Sequence, residues 1–234
     1  MKSLYMIILA TSLLLTGCAN NAEQASSSEN STSQSENQPK DTNGNKTVKN
    51  DEERKEKPSN NPQAPDDSTL MEVGDYHEDG DGSLTLKAIS DYYDTTKIGN
   101  VKVTFSGVKV MNYSPSMDLI DFFHPYSEDE TNFNYVNLNV TVKNTSDQPV
   151  NFAPVSVLET NDGEKKGYEE DFYLEELYGN LEANEERSGE MGFVLNEANI
   201  ENLSRITVKT SDVFDENKES QAKAKTIEIP IEGS

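Results

Sequence analysis

The chain has 234 residues, of which 43 are acidic and 20 are Lys or Arg, so its formal net charge at pH 7 is −23. This charge argues against binding to nucleic acid and against direct adsorption to anionic lipid, because both need positive charge. Cys18 is the only cysteine, which excludes a disulfide framework within the chain. The folded part must therefore be stabilised by a hydrophobic core.

The first segment combines one basic residue, Lys2, with an apolar run from Leu4 to Leu15. These features and the small residues that follow them predict a signal peptide over residues 1–17. The apolar run is shorter than the roughly 20 residues that a membrane-spanning helix needs. The alternatives are a membrane-spanning helix and an ordinary cleaved signal, although the latter needs no cysteine at its end.

The run Leu15-Thr16-Gly17-Cys18 closes this segment. It resembles the lipobox of bacterial lipoproteins. The resemblance implies cleavage before Cys18, a diacylglycerol in thioether linkage to its sulfur, and a mature protein anchored to the extracytoplasmic face of the cell membrane. Two acyl chains give stable anchoring, whereas a single chain gives only marginal and reversible binding.

Residues 18–68 are rich in Ser, Asn, Gln, Glu, Lys, Asp and Pro and contain almost no large apolar side chains. Such a segment buries too little surface to offset the entropy of ordering, so we predict a disordered linker. As a flexible coil of about 50 residues it would have a root-mean-square reach of roughly 40 Å. It would therefore hold the folded part away from the membrane.

From residue 69 to residue 234, apolar residues return with a period of two, which is typical of half-buried strands. The predicted strands span residues 83–89, 101–110, 133–142, 150–152, 155–160, 188–195, 205–210 and 225–231. Ser106-Gly107 predicts a bulge, and Asn161-Asp162-Gly163 predicts a hairpin turn because Asp-Gly tolerates positive φ. Many short strands separated by turn signals predict an all-β antiparallel sandwich or barrel.

Two segments of this region do not alternate. Residues 117–126 are predicted as a short helix or an apolar loop. In residues 168–178, Leu174, Leu177 and Tyr178 have helical spacing, which predicts a short amphipathic helix at an edge of the sheet.

Three blocks, residues 140–150, 158–168 and 181–193, carry a family resemblance. The first reads Val-x-Val-Lys-Asn, then a polar turn and Pro-Val; the second contains Asp-Gly-Glu-Lys and a Tyr; the third ends in Gly-x-x-Gly-Phe. They resemble the immunoglobulin-like domain of unknown function found in many lipoproteins of Gram-positive bacteria. Ala183-Asn184 replaces the Pro-Gly of that family, and Asn can still adopt the positive φ of such a turn.

The resemblance covers about residues 99–231. It implies an immunoglobulin-like antiparallel β-sandwich and an exported, often lipid-anchored location. It brings no known active site. Whether residues 69–98 belong to the sandwich or precede it stays open at this point.

Two groups of residues are candidate metal ligands. Asp79 and Asp81 are closely spaced carboxylates on a Gly-rich segment, which suits calcium, although the spacing is not that of an EF-hand. A solvated strand entry is the alternative. Asp118, Asp121 and His124 recur every three residues and would share one face of a helix, where they would suit zinc or manganese. The alternative is a pair of surface acids and a surface histidine.

Leu119, Phe122, Phe123 and Tyr126 make the loop at residues 117–126 apolar. Loops on sandwiches commonly carry binding function, so we predict that these four residues contact a partner. The acidic residues of the segment 169–176 are predicted as a solvated face, with a basic partner or calcium as the alternatives.

For nucleophilic catalysis the sequence offers neither a Gly-x-Ser-x-Gly elbow nor a phosphate-binding glycine loop. We therefore predict a non-enzymatic binding or accessory module that needs no cofactor. Its expected partners are the membrane, through lipidated Cys18, and an unknown extracellular or surface protein. The alternatives are a calcium-stabilised adhesion or ligand-binding module and an enzyme with a site built from scattered carboxylates.

Overall fold

The computed structural model describes residues 61–232, and the regular secondary structure of this part of the chain is almost entirely β-strand. The strands are β1 (Tyr76–Asp79), β2 (Gly82–Ile98), β3 (Val101–Pro115), β4 (Phe133–Asn144), β5 (Val150–Phe152), β6 (Val157–Thr160), β7 (Lys165–Gly167), β8 (Gly179–Leu181), β9 (Glu186–Leu195), β10 (Arg205–Lys209), β11 (Val213–Phe214), β12 (Ser220–Ala222) and β13 (Thr226–Pro230). One short helix, α1 (Ile120–Phe123), and two 3-10 turns (Tyr168–Glu170 and Ile200–Asn202) complete the elements.

The strands form three antiparallel sheets. The largest has five strands in the order β1-β2-β3-β4-β9, and the other two have the orders β13-β10-β6-β7 and β12-β11-β5-β8. Apolar side chains from all three sheets meet in one core, here called the main core. The predicted all-β antiparallel sandwich is thus confirmed.

Each predicted strand overlaps an observed one, and those at 155–160, 205–210 and 225–231 are one or two residues too long. Strands β1, β7, β8, β11 and β12 were not predicted, and β2 and β3 are longer than their apolar patterns indicate. A bulge explains the difference in β2, where the pairing with β3 shifts register between Ser90 and Tyr93, just after the predicted end at residue 89. The pairing of β3 with β4 shifts register between Phe105 and Val108, at the predicted Ser106-Gly107 bulge, and Gly107 has φ +95°. A bulge reverses which face the next residues occupy, so a continuous strand reads in sequence as two short ones.

Two predicted turns are confirmed. In the β6–β7 hairpin, Gly163 has φ +100° and the Thr160 amide donates to the Glu164 carbonyl over 3.0 Å. Asn184, which stands where the resembled family has Gly, has φ +61°.

Strand β4 contributes buried side chains to both faces of the five-stranded sheet. Its even-numbered residues Val136, Leu138, Val140 and Val142 lie in the main core. On the reverse face of the sheet, Phe133 and Tyr135 of the same strand belong to a second cluster of buried side chains. The members of this aromatic core are Ala64, Leu70, Leu84, Leu86, Met111, Tyr113, Phe123, Phe133, Tyr135, Phe172, Tyr173 and Val194.

Three irregular segments cover the aromatic core: residues 61–70, the loop around α1, and residues 171–173. The amphipathic helix predicted for residues 168–178 is wrong. After the 3-10 turn the chain is extended at Asp171, and Leu174 and Glu176 have positive φ of 58° and 51°. Phe172 and Tyr173 are adjacent in sequence and both fully buried, because they pack on the sheet. Helical spacing does not predict this burial.

The predicted linker boundary at residue 68 is too late. Asp67 is 1% exposed, and the Asn61 amide donates to the Tyr173 carbonyl over 2.7 Å. Residues 61–68 are polar, but they pack because partners in the sheet satisfy their polar groups, which composition does not reveal. Residues 69–98 supply β1 and β2 and therefore belong to the sandwich. The rest of the predicted linker and the signal peptide with Leu15, Thr16, Gly17 and Cys18 lie outside the described residues.

Candidate functional site

The loop predicted to contact a partner instead covers the aromatic core. Phe123 is fully buried, and its ring centroid lies 4.8 Å from that of Phe133 and 5.3 Å from that of Phe172. Leu119, Phe122 and Tyr126 pack against the same core and are partly buried. Phe123 is therefore not available to a partner, and the apolar character of this loop is explained by its packing.

The candidate calcium ligands Asp79 and Asp81 shape the β1–β2 hairpin. The Oδ1 of Asp79 accepts the backbone amide of Asp81 over 2.9 Å, and its Oδ2 lies 3.4 Å from Nε2 of His77. The carbonyl of Asp81 accepts the hydroxyl of buried Tyr113 over 2.7 Å. Within residues 61–232, no group of three or more His, Cys, Asp and Glu side chains is arranged to hold a metal ion.

The second candidate metal group is not assembled by a helix. Helix α1 includes Asp121, but Asp118 precedes it and His124 follows it. The Nδ1 of His124 lies 2.5 Å from Oε1 of Glu130, outside the candidate group. Asp118, Asp121 and His124 therefore do not lie together on one helix.

The acidic segment 169–176 is not uniformly solvated. Asp171 is only 2% exposed, and its Oδ1 accepts the amides of Gly192 over 2.8 Å and of Tyr173 over 3.1 Å. Burial, as the largest effect, raises the pKa of Asp171 to about 7 against these two hydrogen bonds, and the charge of Glu175 adds to the rise. Glu175 in turn accepts the amide of Glu190 over 2.9 Å. These acids attach the covering segment to β9.

A buried polar network lies beside the aromatic core. The Nζ of Lys109 lies 3.1 Å from Oδ2 of Asp67 and donates to the Asp67 carbonyl over 2.7 Å. The amide of Asn137 donates to Glu190 over 3.0 Å and to the hydroxyl of Tyr173 over 3.2 Å. Sequence reasoning missed this network, because Lys109 and Asn137 stand where an alternating strand pattern indicates solvent.

Among residues 61–232, no segment covers the other half of this reverse face, and we call it the open face. Its side chains are all exposed or partly buried, and they come from β2, β3, β4 and β9. They are Tyr93, Thr95, Lys97, Lys102, Thr104, Ser106, Asn139, Thr141, Lys143, Glu186 and Ser188.

Two rows cross the open face from strand to strand. In the lysine row, Lys97 pairs with Lys102 and Lys102 pairs with Lys143, whose neighbour on β9 is Glu186. The hydroxyl row beside it consists of Thr95, Thr104, Thr141 and Ser188, in register on the same four strands.

Basic residues outnumber acidic ones on the open face, whereas acidic residues outnumber basic ones in the chain as a whole. Acids outnumber Lys and Arg by 43 to 20 overall, whereas the two rows contain three lysines and one acid, Glu186. The face is formed by neighbouring strands of one sheet, and most of its side chains are polar. We therefore take the open face as the candidate binding site.

Comparison with known proteins identifies a family. A family model described as Domain of unknown function (DUF4352) matches residues 90–220. The chain is 34% identical over 235 aligned residues to the uncharacterized protein YdhF of Bacillus subtilis (strain 168), and the alignment covers 95% of this chain and 97% of YdhF.

Among solved structures, the chain is similar to a functionally unknown protein from Listeria monocytogenes EGD-e. The TM-score is 0.45 at 15% identity, with 65% of this chain and 89% of that one covered. The prediction of a family of unknown function, based on residues 99–231, is confirmed by the match at residues 90–220.

Proposed function

We propose a function for this chain, which belongs to the DUF4352 family of domains of unknown function. It is a membrane-anchored, extracytoplasmic lipoprotein whose immunoglobulin-like sandwich is a non-enzymatic binding module. Lipid on Cys18 holds it to the membrane, and residues that follow Cys18 connect the anchor to the sandwich.

The open face is the observation that carries the binding role. One half of the reverse face of the sheet is covered by the aromatic core, while the other half is polar and positively charged in an acidic protein. Charged and polar groups that are complementary to a partner give specificity and speed association. Of the four residues predicted to contact a partner, Phe123 is buried and cannot do so, whereas Leu119, Phe122 and Tyr126 are partly buried.

The described surface also carries a small depression, which lies away from the open face. A depression on the outer face of the four-stranded sheet, between β6, β7, β10 and β13, has a volume of about 260 Å³. Its lining residues are Val157, Glu159, Lys165, Thr207, Lys209 and Thr226. Small-molecule sites commonly enclose roughly 300–1,000 Å³ and are largely apolar.

In residues 61–232, no helix is long and apolar enough to cross a membrane.

Labelling with a fatty-acid analogue tests the anchor. The full chain and its Cys18→Ala variant are expressed in a Gram-positive host that is fed an alkyne analogue of palmitate. We expect label and membrane association for the parent chain and loss of the label in the variant. Protease added to intact, wall-stripped cells should degrade the sandwich. A protected sandwich, or a labelled Cys18→Ala variant, would refute the proposal.

Crosslinking on intact cells tests the binding role. A photo-reactive residue is placed at Thr95 on the open face and, as a matched control, at exposed Thr226 on the opposite layer. We expect specific adducts with an extracellular or surface component from Thr95 only. Equal adducts from both positions, or none from Thr95, would contradict recognition through the open face.

A further inference from the structure

The lysine row places three ammonium groups on adjacent strands. Lys97 and Lys102 are direct cross-strand partners, and so are Lys102 and Lys143. Paired residues on antiparallel strands have Cα atoms about 5 Å apart, so the row spans roughly 10 Å. The stems of the lysines are flexible, so their ammonium groups can adjust to the charges of a ligand over about that length.

This arrangement does not stabilise the fold. Like charges directly opposite each other on neighbouring strands are destabilising. Glu186 relieves one of the three, since its Oε2 lies 3.0 Å from Nζ of Lys143, with side chains that are 50% and 44% exposed. An exposed pair of this kind contributes roughly 0 to 1 kcal/mol. Lys97 and Lys102 are exposed, and their cross-strand partners bring further positive charge. The row is therefore better explained by a ligand.

The hydroxyl row adds hydrogen-bond donors next to the lysines. The hydroxyls of Thr95 and Thr104 lie 2.8 Å apart, as do those of Thr141 and Ser188. Each pair needs only one of its two hydrogens, so the other can donate to a ligand. Ammonium and hydroxyl groups together suit phosphate oxygens, which accept charge-assisted hydrogen bonds.

We propose that the open face binds a linear polyanion that carries phosphate groups along its length, across the lysine row. This inference rests on the proposed extracytoplasmic binding function and assigns a ligand class to it. The polymer lies across the strands, its phosphates against Lys97, Lys102 and Lys143 and its other oxygens against the hydroxyl row.

The net charge of the chain favours a thin polymer over an anionic membrane. A charge of −23 resides on the whole molecule, and its repulsion extends over a Debye length of about 10 Å at 0.1 M salt. A planar anionic surface would face much of the acidic chain as well as the lysine row. A single polymer strand would contact only the lysine row and the adjoining hydroxyl row.

Binding of inorganic polyphosphate to the full chain, purified in non-ionic detergent, is the direct test. The test variant is K97Q/K102Q/K143Q, and the matched control is K165Q/K209Q/K225Q, which removes the same charge from the opposite layer. At low ionic strength we expect at least a tenfold weaker Kd for the test variant and a change below about threefold for the control. The slope of log K against log salt should fall in magnitude by about 2 to 3, one contact per lysine.

Thermal unfolding separates loss of the ligand from loss of the fold. The test variant should have a Tm close to that of the parent, because the relief of cross-strand repulsion opposes the loss of the exposed Lys143–Glu186 pair. Equal weakening in both variants would show a general charge effect and overturn the proposal. Binding of the parent chain to anionic phospholipid vesicles but not to polyphosphate would overturn it as well.

The outcome also separates this inference from the broader proposal. If polyphosphate does not bind while Thr95 still gives specific surface adducts, the ligand class is wrong and the binding module stands. If Cys18 carries no lipid and the chain stays inside the cell, the broader proposal fails regardless of polyphosphate binding.

Discussion

The ammonium of Lys109 lies 3.1 Å from the Oδ2 of Asp67, and both side chains are at least nine-tenths buried. This ion pair joins β3 to residues 61–70, the segment that covers one edge of the aromatic core. A buried ion pair brings little net stability over an apolar replacement, but removal of one partner is costly. It therefore fixes where the covering segment attaches.

Removing this lysine should strongly destabilise the protein. Lys109→Met leaves the carboxylate of Asp67 without its cation in a buried site, and we expect a loss of about 3–5 kcal/mol in the free energy of unfolding. Urea denaturation measures it. Lys165→Met is the control, because its pair with Glu159 is exposed and should contribute no more than about 1 kcal/mol. Equal effects of the two changes would contradict a buried pair.

The pKa of Asp171 makes stability depend on pH. Its folded-state pKa is raised to about 7 from an ordinary 3.8, so the folded state holds the proton more tightly and its stability falls as pH rises between these values. The gap corresponds to roughly 4 kcal/mol. We expect Asp171→Asn to match the parent near pH 4 and to exceed its stability by up to that amount at pH 8, as measured by urea denaturation across pH.

Asp162 provides a control of opposite sign. A hydrogen bond from the hydroxyl of Thr160, and then one from the Asn199 amide, lower its pKa. Its stabilising effect is therefore present above its ordinary pKa and is lost as pH falls. Asp162→Asn should be less stable than the parent at pH 7 and should approach it in acid. A parallel pH profile for the two variants would refute the assignment of Asp171.

Truncating Phe123 should show that the loop around α1 is part of the core. Its ring is fully buried among Tyr113, Phe133 and Phe172. Phe123→Ala should cost about 3–5 kcal/mol in the free energy of unfolding. Met117→Ala, in the same loop but 87% exposed, should change it by no more than about 0.5 kcal/mol. If Phe123→Ala leaves the free energy of unfolding unchanged, the loop is not part of the core and would again be a candidate for partner binding.

Calcium should leave the melting temperature unchanged. Asp79 and Asp81 serve the β1–β2 hairpin, and no cluster of three acidic or histidine ligands is found in residues 61–232. A ligand present at a hundred times its Kd would stabilise the folded state by about 2.7 kcal/mol. Differential scanning fluorimetry of the full chain with millimolar calcium and with chelator measures the shift. A rise of several degrees, abolished by D79N/D81N, would establish the calcium-stabilised alternative.

Residue patterns along the chain predicted part of its local structure, although the helix at residues 168–178 was wrong and five of the thirteen strands in residues 61–232 were missed. Strict alternation identified β4, the Asp-Gly pair identified the β6–β7 turn, and Gly107 marked a bulge. These features depend on backbone preferences and on the burial of one face, both of which act between residues close in sequence. The order of the motifs was likewise sufficient for the family of unknown function.

The candidate sites depended on contacts between distant segments. Asp67 and Lys109 are far apart in sequence, and so are Asp171 and Gly192, yet these pairs decide which polar residues are buried. Phe123 looked like part of an exposed loop because its partners Phe133 and Phe172 lie on other segments.

The sequence by itself determined the all-β class, eight of the thirteen described strands and two turns, because periodicity and turn chemistry are local. Only the tertiary structure decided that one half of the reverse sheet face is sealed and the other half open. Strand pairing brings Lys97, Lys102 and Lys143 into one row, and register between strands is set by long-range packing and by bulges.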